Sequence, residues 1–463
     1  MKKLILFIFS TAFTVCMFAQ NVYVNVKGGN MQDKQIRLAC IDDRISLCEK
    51  NLKTVLCTED ELNADLNVTL DGIKEMILKI NMHEYHFLAR PGNKYSIEVL
   101  PYNDSVFLFS VKEVLPVRFF SEKDDGINRQ TEDADTLLNG FLAENYRLLS
   151  IKDSSVVADF DKFEKQLMKK YKDNEYMLSY IKYEFASVRY GLSLTSRLKI
   201  KEELFKNSPV LYDNIGYMDC FNTVFSHYFS QGYKFIGRND IENWLDGVNY
   251  NAFNDALGRD KILENEIFRE MVFLKGMRDA FTEGVFPRDR ILKMIDKFAS
   301  STKFPEHKQI AANLKEYLSK KDFKGGKTTD LKVKNINSEV VTLSDYNDRP
   351  LVLCFVQLDC TACLKELETV HFYYDSIKEN CNVAVVCFDN SFEKMYNFVN
   401  NTRVGSKYKF DFLYFDRNWE LAEEFKLHFF PAFVLLNTDG TVARNPMDSP
   451  SRGSLKQFMN KKQ

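Results

Sequence analysis

The chain has 463 residues, enough for about two to four domains. Its 45% hydrophobic content, with 39 Phe and 22 Tyr, is ample for buried cores. A formal net charge of -2 excludes the basic footprint that a nucleic-acid binder carries.

At the N-terminus, Lys2 and Lys3 precede an apolar run from Leu4 to Phe18. Phe18-Ala19-Gln20 offers a cleavage point, although Met17 is not small. Residues 1–20 therefore read as a secretory signal peptide, too short and poorly flanked for a membrane anchor. The expected location is the periplasm or cell envelope. Thr14 and Val15 are not the small residues of a bacterial lipobox, which disfavours a lipid anchor at Cys16. Ten cysteines are present and nine follow the leader. So few thiols in so large an exported chain are not a disulfide scaffold. Most read as small buried hydrophobes, Cys354 and Cys387 among them.

Residues 21–115 read as a small antiparallel β-sandwich. Val22–Val26 alternates, and Gln35–Cys40, Met76–Ile80, Tyr85–Ala89 and Tyr95–Val99 follow with turn residues between them. His83 and His86 fall in one strand-like run, where a separation of three places them on opposite faces. Both read as surface residues. Residues 131–322 change to a helical period. Successive stripes, such as Phe160-Phe163-Leu167-Tyr171 and Ile267-Met271-Leu274-Met277, mark an α-helical region whose apolar faces are core. The polar stretch 320–329 reads as a linker. Its Gly326-Lys327-Thr328 mimics the end of a phosphate loop, but no Gly-rich cradle or apolar strand leads into it.

Residues 326–463 read as a compact α/β unit. Leu351–Val356 is a buried strand, a bend follows at Gln357–Asp359, and Cys363, Leu367, Val370, Tyr374 and Ile377 lie along one helix face. Cys360 and Cys363 thus sit where a strand ends and a helix begins. The unpaired N–H groups there favour a thiolate, the nucleophile of thiol–disulfide exchange. Cys363, one turn on, can close a disulfide with it. Further on come a strand at Asn382–Phe388, a helix capped by Ser391, a strand at Phe412–Phe415 and a helix Arg417–Phe425 capped by Asp416. The strand opened by Phe430-Pro431 and a final helix from Ser454 complete the unit.

The order βαβαββα, with Cys360-Thr361-Ala362-Cys363 opening the first core helix and Pro431 opening a late strand, resembles the thioredoxin fold. The N-terminal hairpin, the DYNDRPLVLCFV lead-in and the CLKE after the dithiol resemble exported TlpA/ResA-type thiol–disulfide oxidoreductases. The front of the chain is similar in layout to the extensions of large TlpA-like envelope proteins. The resemblance implies that Cys360 attacks, Cys363 resolves, and Pro431 is a cis-proline exposing the backbone of Phe430 to an extended substrate. It also implies protein disulfides as substrates, a membrane thiol–disulfide electron donor as partner, and no metal or organic cofactor.

This sequence departs from the family pattern in three places. Asp359 replaces an aromatic residue, and Cys354 stands where thioredoxins keep a buried acid. Phe430 is bulkier than usual. Asp359 opposes the Cys360 thiolate unless a cation such as Lys365 offsets it, so the couple is expected to lean reducing. A peroxidase of related fold needs a Thr three residues before its reactive cysteine, and Gln357-Leu358-Asp359 lacks it. Zinc would need a second pair or a nearby His, and neither His371 nor His428 has ligand spacing. The other reading is an envelope binding protein with an auxiliary or vestigial thioredoxin-like domain.

Overall fold

The computed structural model describes residues 19–459 except 82, 103–112, 123–125, 231–235, 322–327, 329–331, 390, 402–403, 417 and 428. Residues 1–18 of the expected signal peptide, most of the expected linker and His428 therefore lie outside the described residues. Ten strands open the fold: β1 (Gln20–Gly28), β2 (Gln35–Ile41), β3 (Glu49–Leu56), β4 (Leu62–Asp65), β5 (Val68–Leu70), β6 (Lys74–Ile80), β7 (His83–Ala89), β8 (Lys94–Val99), β9 (Glu113–Val114) and β10 (Val117–Glu122). They form two five-stranded sheets, ordered β10-β8-β1-β4 with β5 also on β1, and β3-β2-β6-β7-β9. Alternate residues of each sheet fill the space between them: Val22, Val24 and Val26 from β1, Ile36 and Leu38 from β2, Met76, Leu78 and Ile80 from β6.

The sandwich is mixed, not antiparallel as expected, because β1 runs parallel to β8 and β7 parallel to β9. It also extends past residue 115, since β10 returns to pair with β8 up to Glu122. His83 is buried, against the expectation of a surface position, and its ring lies 4.5 Å from that of Tyr102. His86 does face solvent, between Glu75 (2.7 Å) and Glu84 (3.3 Å).

The helices are α1 (Ile127–Ser150), α2 (Ser154–Lys170), α3 (Glu175–Gly191), α4 (Arg197–Ile200), α5 (Ile215–Val224), α6 (Arg238–Asp246), α7 (Tyr250–Leu257), α8 (Glu266–Glu283), α9 (Arg288–Ser301) and α10 (Pro305–Lys321). The helical region thus begins at Ile127, before the expected 131. Asp153 and Asn174 accept backbone N–H groups at the starts of α2 and α3, which fixes where those helices begin. Helices α1 to α3 close around Phe160 and Phe185, whose rings are 4.8 Å apart. The later helices close around α8, where Phe268, Met271, Phe273, Leu274 and Met277 are all buried. Buried Glu270 on α8 is satisfied by His307 Nδ1 (2.6 Å) and the Thr302 hydroxyl (2.5 Å), so the charge is not left bare.

The C-terminal unit adds β11 (Lys332–Lys334), β12 (Val340–Thr342), β13 (Leu351–Val356), α11 (Thr361–Ile377), β14 (Asn382–Cys387), α12 (Phe392–Asn400), β15 (Asp411–Tyr414), α13 (Glu420–Glu424), β16 (Ala432–Leu436) and β17 (Val442–Arg444). Its sheet order is β12-β11-β15-β14-β13-β16-β17, with β13, β14 and β15 parallel and β16 antiparallel to β13. All six residues of β13 are buried, as a strand covered on both faces requires. Two details differ from expectation. Asp416 does not cap α13, which starts later, at Glu420. It adopts a left-handed φ of 51° and pairs with Lys334 at 2.9 Å. The segment Ser454–Phe458 is a 3-10 turn and not an α-helix.

An ionic cluster joins the sandwich to the C-terminal domain. Arg37 on β2 and Lys79 on β6 are directly opposite in register and almost wholly buried. Two cations so placed repel each other. Glu423 of α13 takes the Arg37 fork through both oxygens (2.8 and 3.0 Å) and Lys79 at 3.1 Å. Glu49 and Glu84 also reach Lys79, at 2.6 and 3.1 Å. Burial works to raise the Glu423 pKa, but the Arg37 hydrogen bonds and charge, with Lys79, hold it below the ordinary carboxylate value.

Replacing Glu423 by Ala is expected to destabilise the chain by about 1–3 kcal/mol, because it strands a buried guanidinium. In a double-mutant cycle, Glu423→Ala and Arg37→Ala should be coupled by at least about 0.5 kcal/mol in urea unfolding. Strict additivity would contradict the contact. A second expectation concerns His86, whose hydrogen bonds to Glu75 and Glu84 raise its pKa to about 9. Its stabilising contribution is therefore complete below an unfolded value of about 6.5 and is lost as pH rises through 9. The contribution is modest for a half-exposed side chain. His86→Gln should remove this segment of the stability-versus-pH curve.

Candidate functional site

The site is built at the carboxyl end of β13. The strand stops at Val356, and the bend places Cys360 as the N-cap of α11. The Cys360 N–H donates to the Gln357 carbonyl at 3.2 Å, and the Cys363 N–H donates to Cys360 Sγ at 3.2 Å. A sulfur in this position receives an orphan helix donor and the positive end of the helix dipole, both of which stabilise a thiolate. Cys360 is partly exposed, whereas Cys363 is fully buried in the first turn. Burial, the hydrogen bond with Cys360 and the charge of Asp389 all push the Cys363 thiol up. The pair thus has one accessible sulfur and one concealed sulfur a single helical turn away.

Phe430 and Pro431 face this pair across the site. The Phe430–Pro431 peptide is cis, and the Phe430 carbonyl lies 4.0 Å from Cys360 Sγ. The Phe430 ring rests on Phe388 (5.2 Å), which stacks on Phe415 (4.5 Å). An aromatic floor therefore fixes the loop that approaches the dithiol. Phe429, next in line, is 54% exposed. All four residues expected at the site, Cys360, Cys363, Phe430 and Pro431, lie together.

The electrostatics differ from the expected arrangement. The cation beside Asp359 is not Lys365 but Lys394 of α12, whose Nζ is 2.9 Å from Asp359 Oδ2. This hydrogen bond holds the Asp359 carboxyl below its ordinary value. Lys394 also pairs with Asp389 at 2.6 Å. Asp389 is a buried carboxylate just beyond β14, and the sequence reading missed it. The signal available was an acid directly after an apolar strand, ahead of the Ser391 cap. Its contact with the bend is not visible in the sequence, because Leu358 is 31 residues away in the chain.

Cys354 and Cys387 lie deep in β13 and β14, unbridged, with burial pushing both thiols up. His371 sits against the Tyr408 ring at 5.6 Å. Among the described residues, no three His, Cys, Asp or Glu side chains gather in a way that could hold a metal ion. A separate cleft of about 840 Å³ lies between the sandwich and the helices, lined by Asp42, Arg44, Lys74, Tyr212 and Asp213 among others. No residue of the C-terminal domain lines it, so it is not part of the dithiol site.

Residues 325–445 match the model of the AhpC/TSA family. No curated protein matches the chain significantly. Among solved structures, the chain is similar to the thioredoxin domain of a thiol–disulfide oxidoreductase from Bacteroides vulgatus. The identity is 17%, the match covers 30% of this chain and 98% of that one, and the TM-score is 0.26. A thiol:disulfide interchange protein from Bacteroides sp. gives 17% identity, 30% and 91% coverage, and a TM-score of 0.27. The mitochondrial 2-Cys peroxiredoxin from Plasmodium falciparum gives 15% identity, 29% and 90% coverage, and 0.25. The family match is thus confined to the C-terminal domain, at residues 325–445.

Proposed function

We propose that the protein is an exported thiol–disulfide oxidoreductase that reduces disulfides of cell-envelope proteins through Cys360 and Cys363. The observation that carries this reading is the asymmetry of the pair. Cys360 is accessible at a helix N-cap, Cys363 is concealed behind it, and the Phe430–Pro431 backbone lies beside the accessible sulfur. A dithiol so placed can engage a substrate sulfur and then release it.

In the first step the Cys360 thiolate attacks one sulfur of a substrate disulfide. The substrate S–S bond breaks, one substrate sulfur leaves as a thiolate, and a mixed disulfide forms. Cys363 then loses its proton and attacks Cys360 Sγ. The mixed disulfide breaks, the second substrate sulfur leaves as a thiolate, and Cys360 and Cys363 are bridged. Two electrons have passed to the substrate, and its two thiolates take up protons. Phe430 supports substrate binding through its main chain and its half-buried ring. Resetting the bridge requires two electrons, and for an envelope protein a membrane thiol–disulfide donor supplies them. The apolar run Leu4–Phe18 behind Lys2 and Lys3 supports export to the periplasm or cell envelope.

Two measurements check this reading. Native reduced protein should present a single fast-alkylating thiol, lost in Cys360→Ser, because the other described cysteines are buried. Several equally fast thiols would contradict the assignment of Cys360. A Cys363→Ser variant expressed with its leader should accumulate mixed disulfides with envelope proteins, which disappear in Cys360→Ser. Absence of such adducts would favour a binding protein with a vestigial domain. Rapid consumption of peroxide by the wild type would favour a peroxidase.

A further inference from the structure

Asp389 is tied to the bend before the dithiol by contacts that the exchange reaction itself does not explain. Its side chain is 1% exposed. Both of its oxygens accept the backbone N–H of Leu358, at 3.1 and 3.3 Å. Leu358 lies in the bend, two residues before Cys360. Lys394 then joins Asp389 (2.6 Å) to Asp359 (2.9 Å), the residue adjacent to Cys360. The backbone N–H of Lys394 donates to Ser391 Oγ at the start of α12, which fixes the residue's place on that helix. The bend that presents Cys360 is therefore moored at two points to the segment after β14.

We propose, resting on the oxidoreductase reading, that Asp389 is a positioning residue with two effects: it holds the Cys360 bend in register, and its charge, beside the burial of Cys363, adds to what delays the resolving step.

The physical argument for the first effect is geometric. A buried carboxylate that loses its donors is costly, so Asp389 and the Leu358 N–H hold each other. Displacing a reacting sulfur by a fraction of its bond length to the substrate slows in-line attack steeply. The second effect follows from the groups around Cys363. Cys360 and the Gln357 carbonyl face it from the cap and bend, Cys387 from β14, and Asp389 from beyond β14. Asp359 and Lys394 lie at the rim. Burial pushes the Cys363 thiol up, and the Asp389 charge adds to this. Burial raises the Asp389 carboxyl above its ordinary value, and Lys394 and the Leu358 N–H work against that rise, in favour of the anion. An anion there disfavours a second anion at Cys363. Cys363 then stays a thiol while Cys360 seeks a substrate, and its deprotonation limits the resolving step.

Stopped-flow reaction of the full-length reduced protein with a neutral dipyridyl disulfide separates the two cysteines. Attack by Cys360 releases one thiopyridone and leaves a mixed disulfide, in a phase that depends on reagent concentration. Attack by Cys363 on Cys360 Sγ releases the second, in a phase that does not. Asp389→Asn keeps an acceptor for the Leu358 N–H but removes the charge. It should move the pH midpoint of the second phase down by at least about half a unit. Asp389→Ala also releases the bend and should slow the first phase by about tenfold or more, a loss that Asp389→Asn restores. A second phase in Asp389→Asn whose pH profile is unchanged or moved upward overturns the proposal. That result stands even if the Ala variant does not fold. A wild type that shows no second release would instead overturn the oxidoreductase reading.

Discussion

Six consecutive apolar residues, Leu351–Val356, are buried on both faces of one strand, and the geometry of the site follows from that constraint. A strand of this kind is stable only inside a sheet covered on both sides, so β13 lies between β14 and β16 with helices over it. The chain must then leave the sheet at Val356 and turn back over it as α11. The turn exposes Cys360 at the helix start, while the helix period returns Cys363 to the core. Accessible and concealed sulfurs are thus two consequences of one packing requirement. The antiparallel partner β16 brings Phe430 and Pro431 to the same end of the sheet.

The electrostatics form a second layer on this frame. An N-cap thiolate gains from the helix dipole, and the adjacent Asp359 works against that gain. Lys394 answers it from another helix and is shared with a buried acid. The same principle recurs between domains, where Arg37 and Lys79 lie side by side and Glu423 bridges them. In each case a charge that is unfavourable within one element is balanced by a residue from a different element. Such contacts tie the C-terminal domain's own segments together and connect it to the sandwich.

Much of the candidate site was legible because its signals are local. A run of apolar residues, a bend and a helical stripe read directly as β13, the bend and α11. Pro431 was found through a family resemblance and not from periodicity. The unread parts depend on distant contacts. Strand β3 is a polar edge strand that carries little pattern, and the parallel pairing of β1 with β8 leaves no trace in either segment. Lys365, named as one cation that could offset Asp359, is not the one that does, because closeness in sequence does not decide which group a side chain meets. Lys394 does so from 35 residues away. Asp389 was missed for the same reason.

The central claim is that Cys360 and Cys363 form a single reducing couple. Equilibration of the purified protein in graded dithiothreitol or glutathione buffers, with mass-spectrometric mapping of the oxidised form, tests it most directly. The account predicts one two-electron transition, a Cys360–Cys363 bridge, and a potential closer to about -270 mV than to about -120 mV, the value of a strong disulfide-forming oxidant. A potential at the oxidising end, or an oxidised form bridged through any other cysteine, would contradict it.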